Sequence, residues 1–167
     1  MRNLVGKTAG IVTAAIVVIF AAACGSDSTG AGAPIYTATL SPANEPGNIV
    51  SSGTGTATFV DNGTVFDWTL DFSGLTNVTQ SHIHGPCDGC QGPPITNVPV
   101  MINLFIPNTA TGAARPITIK GQITNANNAN VSLDSLRTLF NNGKSYVNIH
   151  TSANPGGEIR GLVHRSN

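Results

Sequence analysis

Three of the four histidines in the chain fall in two short segments where apolar and polar residues alternate. His82 and His84 are separated by one isoleucine, and His150 lies in the segment Tyr146–Thr151. Side chains of a β-strand point alternately to its two faces, so His82 and His84 share a face and lie roughly 7 Å apart. Such a pair can chelate copper or zinc, and His150 would supply a third nitrogen. The fourth histidine, His164, is expected near a frayed C-terminus.

The same histidines also fit a structural interpretation, in which they form a hydrogen-bonded polar cluster on a sheet. Glu158 and Arg160 are two residues apart on the last predicted strand, and Glu45 is the remaining charged candidate for this cluster. An ion pair would fix the closing hairpin, although exposed pairs contribute only about 0–1 kcal/mol. The sequence contains neither paired carboxylates nor a nearby serine–histidine–aspartate arrangement, which argues against hydrolase chemistry. We expect no catalytic site. If the histidines bind a metal, the most far-reaching form of that alternative is an oxidoreductase.

Cys87 and Cys90 have three possible roles. An exported chain meets an oxidising compartment, which favours a disulfide between them. A redox-active pair is expected at a helix N-terminus, but the residues that follow this pair are Gly92-Pro93-Pro94. The third role is thiolate binding of copper or zinc together with His82 or His84.

Residues 1–23 have the pattern of a secretory signal peptide. Arg2 and Lys7 make the N-terminus positively charged, and Ala9–Ala23 is an almost uninterrupted run of apolar and small residues. The run is shorter than the roughly 20 residues that a membrane-spanning helix needs. We therefore expect this segment to direct export and to be removed afterwards.

Cys24 stands at the expected cleavage point, after three alanines. Small residues before a cysteine resemble a bacterial lipoprotein signal, in which the cysteine becomes the lipidated N-terminus; the alternative is an ordinary signal peptide with a chance cysteine. Each buried methylene of an acyl chain contributes roughly 0.8 kcal/mol, so several chains hold a protein on a membrane. Residues 24–34 then form the lipidated terminus and a flexible tether, because they lack large apolar side chains. The implied location is the bacterial cell envelope, outside the cytoplasm.

The composition limits the possible partners. Only 10% of the residues are charged, well below the usual share of about a quarter. Removal of Arg2 and Lys7 with the leader leaves six basic residues against eight acidic ones, a net charge near −2. Without a basic patch, the chain is not expected to bind nucleic acid. A membrane, reached through the N-terminal lipid, and an unidentified protein or glycan remain as expected partners.

Residues 35–164 predict seven or eight short strands and one helix. The clearest strand is Val65–Phe72, where aromatic and leucine residues alternate with aspartate and threonine. Before it, Asp61-Asn62-Gly63 predicts a tight hairpin turn. A helix is predicted over residues 132–141, with Ser132 as its N-cap. This order of elements favours an all-β, antiparallel, Greek-key-like sandwich.

Five sequence blocks, in their order along the chain, resemble the CHRD domain, which is named for chordin. The blocks are Leu40–Glu45, Gly53–Ala57, His82–Pro86, Tyr146–Thr151 and Asn154–Gly161. The resemblance covers roughly residues 35–163 and implies a secreted or surface β-sandwich. In animals the domain occurs in chordin, an extracellular antagonist of a growth factor, and in bacteria it occurs in exported proteins. The cysteine pair departs from the pattern of many members, which have a plain loop there.

The resemblance implies a fold and a compartment and hardly any chemistry. We therefore expect a membrane-anchored, extracytoplasmic binding or structural module. The alternative is a copper- or zinc-binding protein that uses His82, His84 and His150.

Overall fold

The computed structural model describes residues 32–90, 98–104, 106–107, 115–128 and 130–167. The predictions for the signal peptide and for Cys24 lie outside these residues. Within the described ranges, the structure contains no helix that is long and apolar enough to cross a membrane.

Two antiparallel sheets face each other across one hydrophobic core. The strands are β1 Ile35–Leu40, β2 Thr54–Asp61, β3 Phe66–Ser73, β4 Val78–His84, β5 Val100–Leu104, β6 Ile117–Ile123, β7 Tyr146–Thr151, β8 Ile159–Leu162 and β9 His164–Arg165. Sheet A has the order β6-β3-β2-β1-β9, and sheet B has the order β5-β4-β7-β8. After β3 the chain crosses to sheet B for β4 and β5 and returns as β6 beside β3, a Greek-key-like connection. The predicted all-β sandwich is confirmed.

The hairpin between β2 and β3 forms where the sequence predicts it. The Asn62 N–H donates to the Val65 carbonyl at 2.9 Å, and Gly63 has a φ of +83°, which glycine adopts without strain. The residues of β3 that point inward are all buried, namely Phe66, Trp68, Leu70 and Phe72. The two-residue period of β3 therefore places one face of sheet A against the core.

The single α-helix of the described residues, α1, spans Leu133–Asn141, within the predicted bounds. The Ser132 hydroxyl caps it by accepting a hydrogen bond from the Ser135 N–H at 3.1 Å. The Phe140 ring is fully buried and lies 5.3 Å from the ring of Tyr36, measured between centroids. The helix therefore packs its apolar face against β1 of sheet A.

The C-terminus differs from the prediction. His164 and Arg165 form β9, which pairs antiparallel with β1, and the Ser166 N–H donates to the Ile35 carbonyl at 2.8 Å. The expectation of a frayed end at His164 was wrong, because a two-residue strand shows too little alternation to be recognised in a sequence. His164 consequently lies exposed on sheet A, on a different sheet from the other three histidines.

Ser41 and Arg160 join the two sheets at one corner. Their backbones exchange two hydrogen bonds, from the Ser41 N–H at 2.9 Å and from the Arg160 N–H at 3.1 Å. The Asn44 side-chain amide also donates to the Arg160 carbonyl, at 2.9 Å. A 3₁₀ turn, Pro42–Asn44, follows Ser41. This turn brings the next residue, Glu45, to the outer face of sheet B.

Candidate functional site

His82, His84 and His150, here called the histidine cluster, lie on the outer face of sheet B. His82 on β4 is opposite Asn148 on β7, and His84 is opposite Tyr146. The residues that alternate with them are fully buried in the core, namely Ile83, Val147 and Ile149. The alternation seen in the sequence therefore brings the three imidazole rings together on the face away from the core.

Two loops cover the outer face of sheet B. Residues from segments 45–49 and 153–157 line a cavity of about 570 Å³ together with His84 and Asn148; we call it the outer cavity. His82, His84 and His150 are only 9%, 8% and 9% exposed. The histidine cluster therefore lies in a largely desolvated environment beneath loops.

Two backbone carbonyls fix the tautomers of His84 and His150. The Nδ1 atom of His84 lies 2.8 Å from the Val98 carbonyl, and Nδ1 of His150 lies 2.9 Å from the Pro155 carbonyl. A carbonyl oxygen only accepts hydrogen bonds, so Nδ1 carries the proton in both rings. In the neutral ring, Nε2 then presents a lone pair.

The ring nitrogens of the histidine cluster converge. His150 Nε2 lies 3.0 Å from His82 Nδ1, and one nitrogen from each ring lies within 4.8 Å of the others. His84 Nε2 is buried and has no hydrogen-bond partner among the described residues. A buried acceptor without a donor costs about 1–3 kcal/mol. This nitrogen is therefore suited to a cation or to a donor from outside the chain.

Burial lowers the pKa of all three histidines. The pKa of His82 falls to about 4, first through burial and then through electrostatic repulsion from His150 and His84. Burial also lowers the pKa of His84 and of His150, and the hydrogen bonds to Val98 and Pro155 oppose this effect. The cluster is therefore neutral at pH 7, which is the state in which imidazole binds a metal.

We expect the metal-free protein to become more stable as the pH rises from about 4 to 6.5. The folded-state pKa of His82 is about 4 against an ordinary value of 6.5, so the unfolded chain binds more protons within this window. Each such histidine adds a slope of up to about 1.4 kcal/mol per pH unit. Urea unfolding in the presence of a chelator, repeated across this range, measures the slope. His82→Gln should reduce it, because one of the contributing histidines is removed, whereas His164→Gln should leave it unchanged; equal slopes in both variants would contradict the prediction.

A buried ion pair lies beside the histidine cluster on the same face. Arg160 on β8 is opposite Asn148, and its guanidinium lies 2.8 Å from Glu45 Oε2; the two side chains are 4% and 1% exposed. The guanidinium also lies 4.1 Å from the centre of the Tyr146 ring, on which His84 stacks at 4.8 Å. Burial raises the pKa of Glu45, and the charge of Arg160 acts in the opposite direction. The ion pair thereby fastens the first covering loop to sheet B.

A family model for the CHRD domain matches residues 36–163 of the chain. The chain belongs to the CHRD domain family. The match begins in β1, ends just after β8, and includes the histidine cluster and both partners of the buried ion pair. No match to a curated protein is found. Membership of the CHRD family supports a role as a binding or structural module.

The cysteine pair of this CHRD domain forms a disulfide. Cys87 and Cys90 are bonded to each other, with Cα atoms 5.7 Å apart, and both pack against Tyr146. The expected disulfide is confirmed. Because both sulfurs are bonded to each other, neither acts as a thiolate ligand beside His82 or His84.

Glu158, which the sequence analysis also named as a charged candidate, accepts hydrogen bonds from two hydroxyl groups. The Ser51 hydroxyl donates to Glu158 Oε1 at 2.6 Å, and the Thr151 hydroxyl donates to Oε2. Burial by itself raises the pKa of Glu158, but these hydrogen bonds bring it below its ordinary value. The ion pair of Arg160 is formed with Glu45, so it joins β8 to a covering loop, whereas the sequence suggested a pair within the closing hairpin.

Three residues of the CHRD site were not predicted from the sequence as site residues, namely Tyr146, Asn148 and Gly157; the pair Gly156-Gly157 was expected only to allow a tight turn. Tyr146 and Asn148 alternate with His150 along β7, so the two-residue period already placed them on the same face. Gly157 has a φ of +130°, and a Cβ atom there would collide with the carboxylate of Glu45. No local signal identifies that neighbour, because the two residues meet only through the tertiary fold.

Proposed function

We propose that this protein is a membrane-anchored, extracytoplasmic binding module whose histidine cluster holds one copper or zinc ion. One observation carries the proposal: three buried, neutral imidazoles place ring nitrogens within 4.8 Å of one another. Neutral imidazole nitrogen is a preferred ligand of both metals. His84 Nε2, which lacks a partner in the described part of the chain, adds support.

The spacing of the rings suits a small tetrahedral ion. Zinc–nitrogen bonds of about 2.0–2.1 Å place neighbouring ligand nitrogens about 3.3 Å apart. His82 Nδ1 and His150 Nε2 are 3.0 Å apart, and one nitrogen from each of the three rings lies within 4.8 Å of the others. Metal binding would replace the hydrogen bond between His82 and His150 and move the His82 proton to Nε2.

The backbone contacts of the cluster are those that support metal ligands. Ligand histidines almost always donate their second ring N–H to a carboxylate, a carbonyl or water, which fixes the ring and raises its basicity. The carbonyls of Val98 and Pro155 do this for His84 and His150. A purely structural cluster is the second candidate, because the hydrogen bond between His82 and His150 satisfies those two nitrogens without a metal.

The metal content of the purified protein distinguishes a metal-binding cluster from a purely structural one. We expect about one copper or zinc ion per chain in protein isolated from the cell envelope. His84→Ala removes a ligand and should lower the affinity by more than the roughly 10- to 100-fold that loss of a ligand's hydrogen-bond partner costs. Elemental mass spectrometry after dialysis gives the stoichiometry, and competition with a chelator gives the affinity. His164→Ala is the matched control, because this histidine is exposed on sheet A. Absence of stoichiometric metal, or equal affinity in the two variants, would favour the structural cluster.

Lipidation of Cys24 is the anchor in this proposal, and it is supported by the three alanines that precede the cysteine. Cells grown with a radioactive fatty acid should label the protein, and Cys24→Ala should remove the label and release the protein from the membrane fraction. Cys87→Ala serves as the control, because it alters a cysteine of the folded domain and should keep the label. Label that persists in Cys24→Ala would contradict the anchor.

A further inference from the structure

Asn148 stands at the centre of the outer face of sheet B, between the histidine cluster and the buried ion pair. It is opposite His82 on one side and opposite Arg160 on the other, and it is only 2% exposed. It lines the outer cavity together with Glu45 and His84. The orientation of its side-chain amide therefore affects both groups.

Glu45 determines which way the Asn148 amide points. A carboxylate only accepts hydrogen bonds, and Glu45 Oε1 is buried without a hydrogen-bond partner among the described residues, so the amide NH₂ belongs on the side of Glu45. The amide oxygen, Oδ1, then faces His84.

Two residues that line the outer cavity, His84 and Asn148, each carry a buried acceptor. His84 Nε2 presents a lone pair, because Nδ1 of the same ring donates to Val98. Asn148 Oδ1 is an acceptor as well, and neither atom has a hydrogen-bond partner in the part of the chain that the structure describes. Buried acceptors are unfavourable unless a cation or a donor reaches them. An ion bound to His84 would satisfy the nitrogen, and the oxygen would still need an N–H or O–H group.

A site with three histidine ligands leaves one position of a tetrahedral ion open to an outside ligand. The outer cavity, at about 570 Å³, has room for a small molecule beside His84. We propose that the open position takes a neutral ligand with N–H or O–H groups, such as water or a primary amine, which donates a hydrogen bond to Asn148 Oδ1. Glu45 is a positioning residue, since it orients the amide. This inference rests on the proposed metal binding and adds the chemical class of the outside ligand.

Cobalt in place of zinc makes this ligand visible, because the visible spectrum of cobalt changes when its fourth ligand changes. The full-length protein loaded with cobalt is titrated with methylamine, which carries N–H donors, and with azide, which carries none. Both titrations use one pH, so protonation of the free amine cancels between variants. We expect Asn148→Ala to lower the preference for methylamine over azide by about 3- to 10-fold, the contribution of one hydrogen bond.

Asn103→Ala is the matched control, because Asn103 is opposite His82 on β5 and is exposed to solvent; it should keep the wild-type preference. If Asn148→Ala does not fold, the nearly isosteric Asn148→Leu replaces it in the same comparison. Cobalt bound with the same ligand preference in all variants would overturn the ligand assignment and leave metal binding intact. Failure of the wild-type protein to bind stoichiometric cobalt would overturn the proposed function itself.

Discussion

Replacing Arg160 with leucine is expected to lower the free energy of unfolding by about 3–5 kcal/mol. The substitution leaves the Glu45 carboxylate, whose side chain is 1% exposed, without the guanidinium that balances its charge. It also removes the contact between the guanidinium and the Tyr146 ring, which are 4.1 Å apart. Urea unfolding at neutral pH measures the loss.

Two further variants show whether the uncompensated charge is the cause. Arg165→Leu removes an exposed arginine on β9 and should change stability by no more than about 0.5 kcal/mol. Adding Glu45→Leu to Arg160→Leu should restore part of the lost stability, because the double variant buries no unpaired charge. A double variant less stable than Arg160→Leu alone would count against this explanation.

Substituting alanine for Gly157 is expected to cost about 3 kcal/mol or more. The backbone there has a φ of +130°, in a region that residues with a Cβ atom rarely adopt. The new methyl group would also collide with the carboxylate of Glu45, so the buried ion pair would have to move. Thermal or urea unfolding measures the effect, and the variant should also expose the outer face of sheet B.

The neighbouring glycine provides the control for this substitution. A Cβ atom at Gly156 would have no atom within 4 Å, and its φ lies outside the left-handed region. Gly156→Ala should therefore stay within about 0.5 kcal/mol of the wild type. Equal stabilities for the two alanine variants would show that the contact between Gly157 and Glu45 does not constrain the loop.

The sequence predicts those parts of the fold that can be recognised along a single element. The alternation in β3 and the helical spacing in α1 each identify one buried face, and both elements form within a residue or so of the predicted bounds. The order of strands within each sheet carries no comparable local signal. The two-residue strand His164–Arg165 is defined by its partner β1 and not by its own residues.

The candidate site also has features that the sequence predicts and features that it does not. Alternation along β4 and β7 is enough to put His82, His84 and His150 on one face. The tautomers are a different matter, because they depend on the carbonyls of Val98 and Pro155, and backbone oxygens have no signature in a sequence. The pairing of Arg160 with Glu45 joins residues from opposite ends of the domain, and Gly157 is constrained by that same distant carboxylate.

Neighbouring residues of β4 belong to different layers of the molecule. Ile83 fills the core, whereas His82 and His84 on either side of it belong to the outer face and are less than a tenth exposed. A substitution at either histidine therefore alters the chemistry of the outer face and leaves the interior packing of the sandwich in place. Side chains on this outer face can therefore be exchanged one at a time while the core of the sandwich stays the same. The fold of the domain and the chemistry of its outer face are accordingly set by different residues of the same strands.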